Sequence, residues 1–216
     1  MPREPASARR EAGPAILPTL TRRKHHGNHS SLGLRRIDTS DETRRIEAQM
    51  QTNPRLNIRQ VTWANPVGAD LRAAQQAELD SRFGSTDHEP GPPPSEADTA
   101  VFVVAYEKCS GQPLGCGGLR MLDENTAEIK RLYVVPYARG SGVASSILAA
   151  LEAQAHSHGF TVIAAEAGSA QSDGRSFYES AGFAPVPNFG PYIGINESYC
   201  YSKRLDSHSA SHTAMA

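Results

Sequence analysis

Residues 128 to 144 read E-I-K-R-L-Y-V-V-P-Y-A-R-G-S-G-V-A, and this stretch decides how the rest of the chain is interpreted. Its apolar, β-branched first half predicts a strand over 127–135 that ends at Pro136. The R-G-S-G-V-A segment then opens a helix over 143–155, whose apolar residues follow helical spacing. Glycines at a helix start let a ligand approach the backbone, and the free amides there bind an anion such as a pyrophosphate. The residues alone leave a plain turn before the helix as an equal alternative.

Two other phosphate-binding motifs do not fit this stretch. A P-loop requires Gly-x-x-x-x-Gly-Lys followed by Ser or Thr, which the sequence lacks. A Rossmann fingerprint requires a third glycine where Ser145 stands, although Glu166 at the end of the next predicted strand imitates the ribose-binding acid. Three antiparallel-looking strands come first, and residues 136–138 separate the strand from the glycines. Dinucleotide binding is therefore disfavoured.

Apolar patterns on either side of this stretch predict one domain over 56–205. Strands over 100–106, 114–121 and 127–135 are separated by short turns, which predicts an antiparallel meander. The full order, β-α-β-β-β-α-β-α-β, is typical of the α+β class, here a mixed and mostly antiparallel sheet flanked by helices. The other predicted elements are strands over 56–61, 160–165 and 199–205 and helices over 70–83 and 172–181. Gly159 would end the helix before the strand over 160–165, and Gly182 would end the helix over 172–181.

The two ends of the chain differ from this domain in composition. Residues 1–50 hold 10 of the 22 Lys and Arg but only 6 of the 23 Asp and Glu, so they carry +4 and the remainder carries −5. Apolar residues make up 38% of the chain and the mean hydropathy is −0.47. We therefore predict disordered tails over 1–55 and 206–216. A basic cluster over 21–26 is an address, a phosphate-binding arm or a merely solvated segment, and Met50 is a candidate alternative start.

Composition also excludes several classes of protein. No apolar run approaches the roughly 18 residues that span a bilayer, which excludes a transmembrane protein, and we find no secretory signal. The acidic domain argues against nucleic-acid binding. The cysteines at 109, 116 and 200 show neither CxxC nor His-ligand spacing, so we expect no disulfide framework and no metal site. Reduced thiols are typical of a cytoplasmic protein.

Two motifs resemble those of a known family. R-x-x-G-x-A over 139–144 resembles the Q/R-x-x-G-x-G/A acyl-CoA signature of the GNAT superfamily of N-acetyltransferases, and specifically its small bacterial-type subgroup. Q-x-x-G-x-x-x-Y-E-S-A-G-F over 171–183 is similar to the family's N/Q-x-x-A-x-x-x-Y-E-x-x-G-F helix and turn, with Gln and Gly where Asn and Ala are commoner. The resemblance covers about 56–205. It implies the GNAT fold and acetyl-CoA as co-substrate.

The resemblance also implies a role for individual residues. Acetyl-CoA would lie in a V-shaped gap where two strands part after Tyr133, and the backbone of Leu132 and Val134 would pair with its pantetheine arm. Glu128 would be the general base, a role often performed through water in the family, and Tyr178 the acid that protonates the CoA sulfur, while the Val134 amide would polarise the thioester carbonyl. Other contacts to the cofactor would come from Arg139, Gly140, Ser141, Gly142, Val143, Ala144 and Gln171.

Each catalytic role has a structural alternative. Glu128 can instead be a surface residue paired with Lys130, two positions along the same strand face. Tyr178 can be a packed aromatic residue with a satisfied hydroxyl. Cys116 could be a nucleophile, but no His stands near it in the sequence and direct transfer is the family norm, so packing is the preferred interpretation.

The acceptor is less well defined. The segment N-F-G-P-Y over 188–192 resembles one in the same subgroup, and its Phe189 and Tyr192 would shape an acceptor pocket or form a lid over the sheet edge. The acidic domain favours a cationic acceptor. We therefore predict transfer to the primary amine of a small molecule, with a protein or peptide amine, or a non-catalytic acyl-CoA sensor, as alternatives. A protein acceptor would require an open groove at the Pro-rich loop over 87–98. Dimers are frequent in the family, so the resemblance also allows a homodimer.

Overall fold

The computed structural model of the chain describes residues 53–86 and 88–205. The predicted tails, including the basic cluster over 21–26 and Met50, lie outside the described residues except for 53–55. Those three residues form a turn before the first strand, in which the Leu56 N–H donates to the Asn53 carbonyl at 3.0 Å.

The described residues form one sheet of seven strands: β1 (Leu56–Gln60), β2 (Thr99–Glu107), β3 (Pro113–Met121), β4 (Thr126–Val134), β5 (Val162–Gly168), β6 (Ala184–Val186) and β7 (Ser198–Arg204). Their order is β1-β2-β3-β4-β5-β7-β6. Each neighbouring pair is antiparallel except β4 and β5, which run parallel. The α+β class, the mixed sheet and the antiparallel meander of β2, β3 and β4 are therefore confirmed.

Two strands differ from the predictions. β5 begins two residues late because Phe160 belongs to the turn after the preceding helix, where its N–H donates to the Ala155 carbonyl at 3.0 Å. β6 was not predicted, because three residues that include Pro185 carry no alternating pattern. It pairs with β7 at the edge of the sheet, where proline is tolerated.

Three helices flank the sheet: α1 (Pro66–Phe83), α2 (Val143–Ser157) and α3 (Ser172–Ser180). α1 begins before the predicted 70–83 because Asn65 caps it; the side-chain oxygen accepts the Gly68 N–H at 3.0 Å. Gly159 and Gly182 follow α2 and α3 with φ of 83° and 85°, as expected of residues that end helices. None of the helices in the described part of the chain is long and apolar enough to cross a bilayer.

The helices cover both faces of the sheet. On one face, Ile147 of α2 packs into a core that includes Val103 of β2, and α3 joins the same core. On the other face, Leu71 of α1 packs with Phe102. Gly117 of β3 brings α2 close to the sheet, because a Cβ there would stand only 2.9 Å from Ile147 Cγ2. The central strands therefore lie between two helical layers, and so does the gap described next.

Candidate active site

Strands β4 and β5 separate part-way along their length. They pair only from Thr126 to Glu128, which lies opposite Ala164, although both strands continue for several residues. Beyond this point β5 pairs with β7 alone. The V-shaped gap therefore opens after Glu128, and the prediction that it opens after Tyr133 is corrected.

A β-bulge in β4 lies just beyond the point of separation. Lys130 pairs with Gly118 and Tyr133 with Cys116, so two residues of β4 face a single residue of β3. Arg131, inside the bulge, has φ of 58°, a left-handed conformation uncommon for a residue other than glycine. A bulge bends and twists the strand that carries it, and this one lies beyond the last pair of β4 with β5, on the part of β4 that borders the gap.

The gap forms a cavity of about 370 Å³. Its walls come from α1, β4, the start of α2, the end of β5 and α3. Of the residues predicted from the sequence, eight lie on the wall: Leu132, Tyr133, Val134, Arg139, Gly140, Ala144, Gln171 and Tyr178. Six lie off it: Glu128, Ser141, Gly142, Val143, Phe189 and Tyr192.

Peptide groups of β4 face the gap. The Val135 N–H donates to a β3 carbonyl at 2.9 Å, and peptide groups alternate in direction along a strand, so those of Leu132 and Val134 point away from β3 into the gap. The Leu132 carbonyl accepts a hydrogen bond from Gln75 Nε2, and the Val134 carbonyl accepts one from Arg139 Nε, both at 3.0 Å. This part of β4 is thus a strand edge that only side chains cover.

The glycine loop leads directly into α2. Gly140 and Gly142 have φ of 73° and 84°, and no atom lies within 4 Å of the place that a Cβ on Gly140 would occupy. The first amide of α2 that donates within the helix belongs to Ser146, which bonds to the Gly142 carbonyl. The three amides before it have no intrahelical partner. Open backbone beside free amides at a helix N-terminus fits a pyrophosphate, as the motif predicts.

Four charged side chains follow each other along the wall from this loop to α3. Arg139 Nη2 lies 2.5 Å from Glu78 Oε2, Arg82 Nη2 lies 2.6 Å from Glu78 Oε1, and Arg82 Nη1 lies 2.9 Å from Asp173 Oδ1. Burial alone would raise the pKa of Glu78, but the two guanidinium groups outweigh burial and lower it. Arg139 is therefore held beside the loop by a carboxylate. Sequence reasoning missed this series, whose one local signal is the i,i+4 spacing of Glu78 and Arg82.

Glu128 is fully buried and lies behind the cavity wall. Its Oε2 accepts hydrogen bonds from Arg120 Nη2 at 2.8 Å and Nε at 3.1 Å, and its Oε1 accepts one from the Tyr192 hydroxyl at 2.6 Å. A general base must reach the proton that it removes, directly or through water, and the burial of Glu128 rules out direct contact in this structure; its role as a base acting through water stays a prediction. The alternative of a surface residue is corrected, although Lys130 Nζ does lie 3.8 Å from Oε1.

Tyr192 is also buried, at the end of a short 3-10 turn, and lies behind the wall. Its hydroxyl accepts a hydrogen bond from Lys130 Nζ at 3.0 Å while it donates to Glu128. Burial, together with the charge of Glu128, raises the pKa of Tyr192. Phe189 packs edge-on against the same ring, with centroids 5.4 Å apart. The predicted contact of Tyr192 with the acceptor is therefore corrected, since Tyr192 is fully buried and supports Lys130, which is on the wall, from behind; the contact of Phe189 with the acceptor stays a prediction.

Tyr178 lies on the wall, as the role of an acid requires. Its ring packs against Phe183 and Tyr201, with centroids 5.3 and 6.1 Å away. No hydrogen bond to its hydroxyl forms within the described residues, which differs from the alternative of a satisfied core tyrosine. Burial, with the charges of Glu166 and Glu128, raises the pKa of Tyr178, so the phenol keeps its proton at neutral pH.

Two further candidates from the sequence, Gln171 and Cys116, have structural roles. Gln171 precedes α3, and its Oε1 accepts the Gly168 N–H at 2.8 Å, so the side chain caps the end of β5. Cys116 is buried, and burial raises the pKa of its thiol to about 12, which leaves almost no thiolate at neutral pH. No cluster of three or more His, Cys, Asp or Glu side chains suited to a metal occurs in the described residues.

The loop over 88–98 closes one end of the cavity. Glu89 lies on the wall, with Lys130 Nζ 2.9 Å and Arg131 Nη2 2.7 Å from its carboxylate oxygens. Gly91, with φ of 77°, packs so closely on Pro191 that a Cβ there would stand 2.6 Å from the proline Cβ. Sequence reasoning identified this segment as a loop and missed Glu89, because prolines and charges predict an irregular segment without saying where it packs.

Glu166 stands near the end of β5, on the cavity wall. No Lys, Arg or His nitrogen of the described residues comes within 4.0 Å of its carboxylate. Burial raises the pKa of Glu166, while the Ser198 hydroxyl and the Lys130 ammonium act in the opposite direction. The sequence singles out Glu166 only as an imitation of a ribose-binding acid. Its place beside the gap depends on the register of β4 and β5, which no local pattern reports.

Comparisons with known proteins identify the family and the fold. The model of the acetyltransferase (GNAT) family matches residues 69–183. The IAA acetyltransferase of Azospirillum brasilense is 35% identical over 92 residues, which are 42% of this chain and 59% of that protein. The chain thus spans about three fifths of the length of this curated relative.

Solved structures share the fold. A Klebsiella pneumoniae protein provisionally assigned as an acyl-CoA N-acyltransferase has a TM-score of 0.60 and 25% identity, over 71% of this chain and 100% of that one. A GNAT family acetyltransferase from Elizabethkingia anophelis, solved with acetyl-CoA bound, has a TM-score of 0.51 and 16% identity, over 71% and 100% of the two chains. The second likeness concerns the fold alone.

The residues that match the family model include the glycine loop, the diverging part of β4 and β5, and Tyr178. They make up more than half of the chain. The protein is therefore a member of the GNAT family of acetyltransferases.

Proposed function

We propose that this protein transfers the acetyl group of acetyl-CoA directly to the primary amine of a small molecule. The observation that carries the proposal is the cavity between β4 and β5, which has open backbone at one end and the loop over 88–98 across the other. The three free cysteines, at 109, 116 and 200, are in keeping with a cytoplasmic enzyme.

The open end is suited to acetyl-CoA. The peptide groups of Leu132 and Val134 form a strand edge that no other strand occupies, and an extended arm with amide groups can pair with it in place of the Gln75 and Arg139 side chains. The free amides at the start of α2 would hold the pyrophosphate, and Arg139 beside them adds a planar donor that matches phosphate oxygens. When bound, acetyl-CoA supplies an activated acyl carbon and a thiolate leaving group.

The closed end favours a small acceptor over a polypeptide. The loop over 88–98 is fastened to the sheet by the ion pairs of Glu89 and by the contact of Gly91 with Pro191. A polypeptide acceptor would require an open groove at this point. Glu89 and Glu166 both lie on the wall and suit an acceptor that arrives as a cation.

The chain also provides groups for the acyl-transfer step. The transition state places negative charge on the carbonyl oxygen and then on the departing sulfur, and each needs a donor. The Val134 N–H points into the gap, where it would polarise the carbonyl. Tyr178 is protonated at neutral pH and lies on the same wall, so we assign it as the acid for the sulfur.

Thiol release from acetyl-CoA across a panel of amines tests this function. The panel holds aliphatic and aromatic monoamines, polyamines, amino acids and dipeptides. IAA, the compound in the name of the Azospirillum relative, is assayed beside the panel. We expect acetyl-CoA to raise Tm and at least one small amine to give turnover. Turnover confined to peptides would favour the protein acceptor, and a raised Tm without turnover would favour the acyl-CoA sensor. If acetyl-CoA affects neither Tm nor turnover, the proposal fails.

A further inference from the structure

Glu128 is buried off the cavity wall and does not reach the acceptor amine directly, so a group that takes the amine proton directly must be sought on the wall. We infer that Glu166, on the cavity wall at the end of β5, is the general base that takes this proton. The inference rests on the acetyltransferase function proposed above. It follows from comparing the carboxylates of the wall with one another, and then from the groups that surround Glu166.

Four carboxylates line the cavity: Glu78, Glu89, Glu166 and Asp173. Three of them are held by cations at hydrogen-bond distance, namely Glu78 by Arg139 and Arg82, Glu89 by Lys130 and Arg131, and Asp173 by Arg82. A carboxylate in such a pair is a poor base, because accepting a proton would cost it the ion pair. Glu166 is the wall carboxylate that no cation of the described residues approaches within 4.0 Å.

The arrangement around Lys130 keeps its ammonium from forming an ion pair with Glu166. The Lys130 ammonium lies 2.9 Å from Glu89 Oε1 and donates to the Tyr192 hydroxyl at 3.0 Å. That hydroxyl is in turn fixed by Glu128 at 2.6 Å. Two partners therefore hold Lys130 away from Glu166, although both side chains line the same cavity. This assigns the buried network of Glu128 and Tyr192 a positioning role.

The electrostatic surroundings of Glu166 suit a proton acceptor at neutral pH. The charged and titratable groups that act on it or feel its charge are Lys130 and Glu128 on β4, Glu89 on the loop, Ser198 and Cys200 on β7, Tyr178 on α3, and Tyr192. Burial is the strongest influence and raises the pKa of Glu166, and a base whose pKa lies closer to the working pH removes protons more effectively.

The proton balance of the reaction is then complete. Glu166 takes one proton from the acceptor ammonium, which leaves a neutral amine. The amine nitrogen bonds to the acyl carbon while the bond from that carbon to sulfur breaks. Tyr178 gives its proton to the sulfur, and its phenolate recovers one from the nitrogen of the new amide. The proton on Glu166 leaves to solvent, so the net products are the acetylated amine, free CoA and one proton.

Glu166→Gln tests the inference, with the panel amine that gives the highest turnover as the probe. We expect kcat to fall by about 10²- to 10³-fold, the usual range for loss of a general base. The acetyl-CoA Kd, measured by calorimetry without amine, should change less than about twofold, because that half of the cavity is intact. The defect should shrink as pH approaches the pKa of the free amine, since solvent then delivers a neutral amine. Glu197→Gln, the same change at an exposed site, is the matched control and should leave kcat unchanged.

A second readout does not depend on turnover. In the protein without ligand, carbon NMR of labelled glutamate carboxyl groups should show one resonance that titrates above the usual value of 4.5 and is lost in Glu166→Gln. Two results would overturn the assignment of Glu166 without touching the acetyltransferase function. In the first, the wild type turns over an amine and Glu166→Gln keeps more than half of kcat. In the second, the resonance that Glu166→Gln loses titrates at or below 4.5. If the wild type acetylates no amine, the proposed function itself fails, and the role of Glu166 fails with it.

Discussion

The Tyr192 hydroxyl donates a 2.6 Å hydrogen bond to the fully buried carboxylate of Glu128, which stands 64 positions earlier in the chain. Arg120 holds the other carboxylate oxygen from β3 at 2.8 Å. A buried charge depends on such partners, because the loss of one leaves it uncompensated in a medium that solvates it poorly. Glu128 therefore anchors the turn that ends at Tyr192 to the sheet.

Tyr192→Phe should destabilise the protein. The substitution keeps the ring but leaves Glu128 Oε1 and Lys130 each without one partner, and we expect unfolding free energy to fall by about 1–3 kcal/mol. Denaturant unfolding measures this change. Tyr199→Phe, at a tyrosine that is 40% exposed, is the control and should stay within about 0.5 kcal/mol of the wild type. Equal midpoints for the two variants would contradict the anchoring role.

Tyr178→Phe should affect catalysis far more than acyl-CoA binding. Tyr178 lies on the cavity wall and is assigned as the acid, so loss of its hydroxyl would remove the proton for the sulfur, and we expect kcat to fall by about 10²-fold. The acetyl-CoA Kd should remain within about twofold, because the ring still fills its place among Phe183 and Tyr201. Tyr137→Phe, at a tyrosine that is 75% exposed, serves as the matched change. If both variants keep wild-type kcat, Tyr178 is not the acid.

Gly140→Ala should weaken acyl-CoA binding through the backbone alone. The position has φ of 73° and open space around the site of a Cβ, so the new methyl group clashes with nothing but disfavours the left-handed conformation by about 1–2 kcal/mol. Where the loop relaxes to relieve this strain, the acetyl-CoA Kd should rise by about 5- to 30-fold, as calorimetry would measure. Gly111→Ala is a close match, with φ of 72° and equally open space, but it lies in the turn between β2 and β3. An equal loss of affinity in both variants would assign the effect to general strain.

Acid should loosen the loop over 88–98 through Glu89. Burial alone would raise the pKa of Glu89, but Lys130 and Arg131 outweigh burial and lower it below its usual 4.5. A carboxyl whose pKa is lowered by folding stabilises the protein above its unfolded pKa, and this stabilisation is lost as pH falls through the folded pKa. We expect Tm of the wild type to fall more steeply below about pH 4.5 than Tm of Glu89→Gln. Parallel curves for the two proteins, with Glu197→Gln as reference, would show that the Glu89 pairs add no stability.

The part of the site that is made of backbone could be predicted from the sequence. A strand, a proline, two glycines and a helix follow each other between 127 and 155, so local propensities alone place the free amides of α2 after the edge of β4. Tyr178 could be located in the same way, since its helix and the closing Gly182 form one continuous motif.

The side-chain part of the site depends on contacts that are distant in sequence. Glu128 is buried because Arg120 and Tyr192 reach it from positions 8 and 64 residues away. No pattern around Glu128 reports these partners, and an alternating strand predicts only that it shares a face with Lys130. The bulge at Arg131, on the part of β4 that borders the gap, likewise depends on the pairing of two strands more than on either sequence.

The division of the cavity has a consequence for how this protein can diverge. The end that we propose for acetyl-CoA is lined largely by main-chain groups of β4 and the glycine loop, which many side-chain replacements would leave intact. The other end is closed by the loop over 88–98, whose hold on the sheet depends on Glu89 and on the fit of Gly91 against Pro191. If the acceptor binds as proposed, we expect a different loop grafted between α1 and β2 to change the acceptor and keep the acyl donor, which makes this connection the first place to re-engineer selectivity.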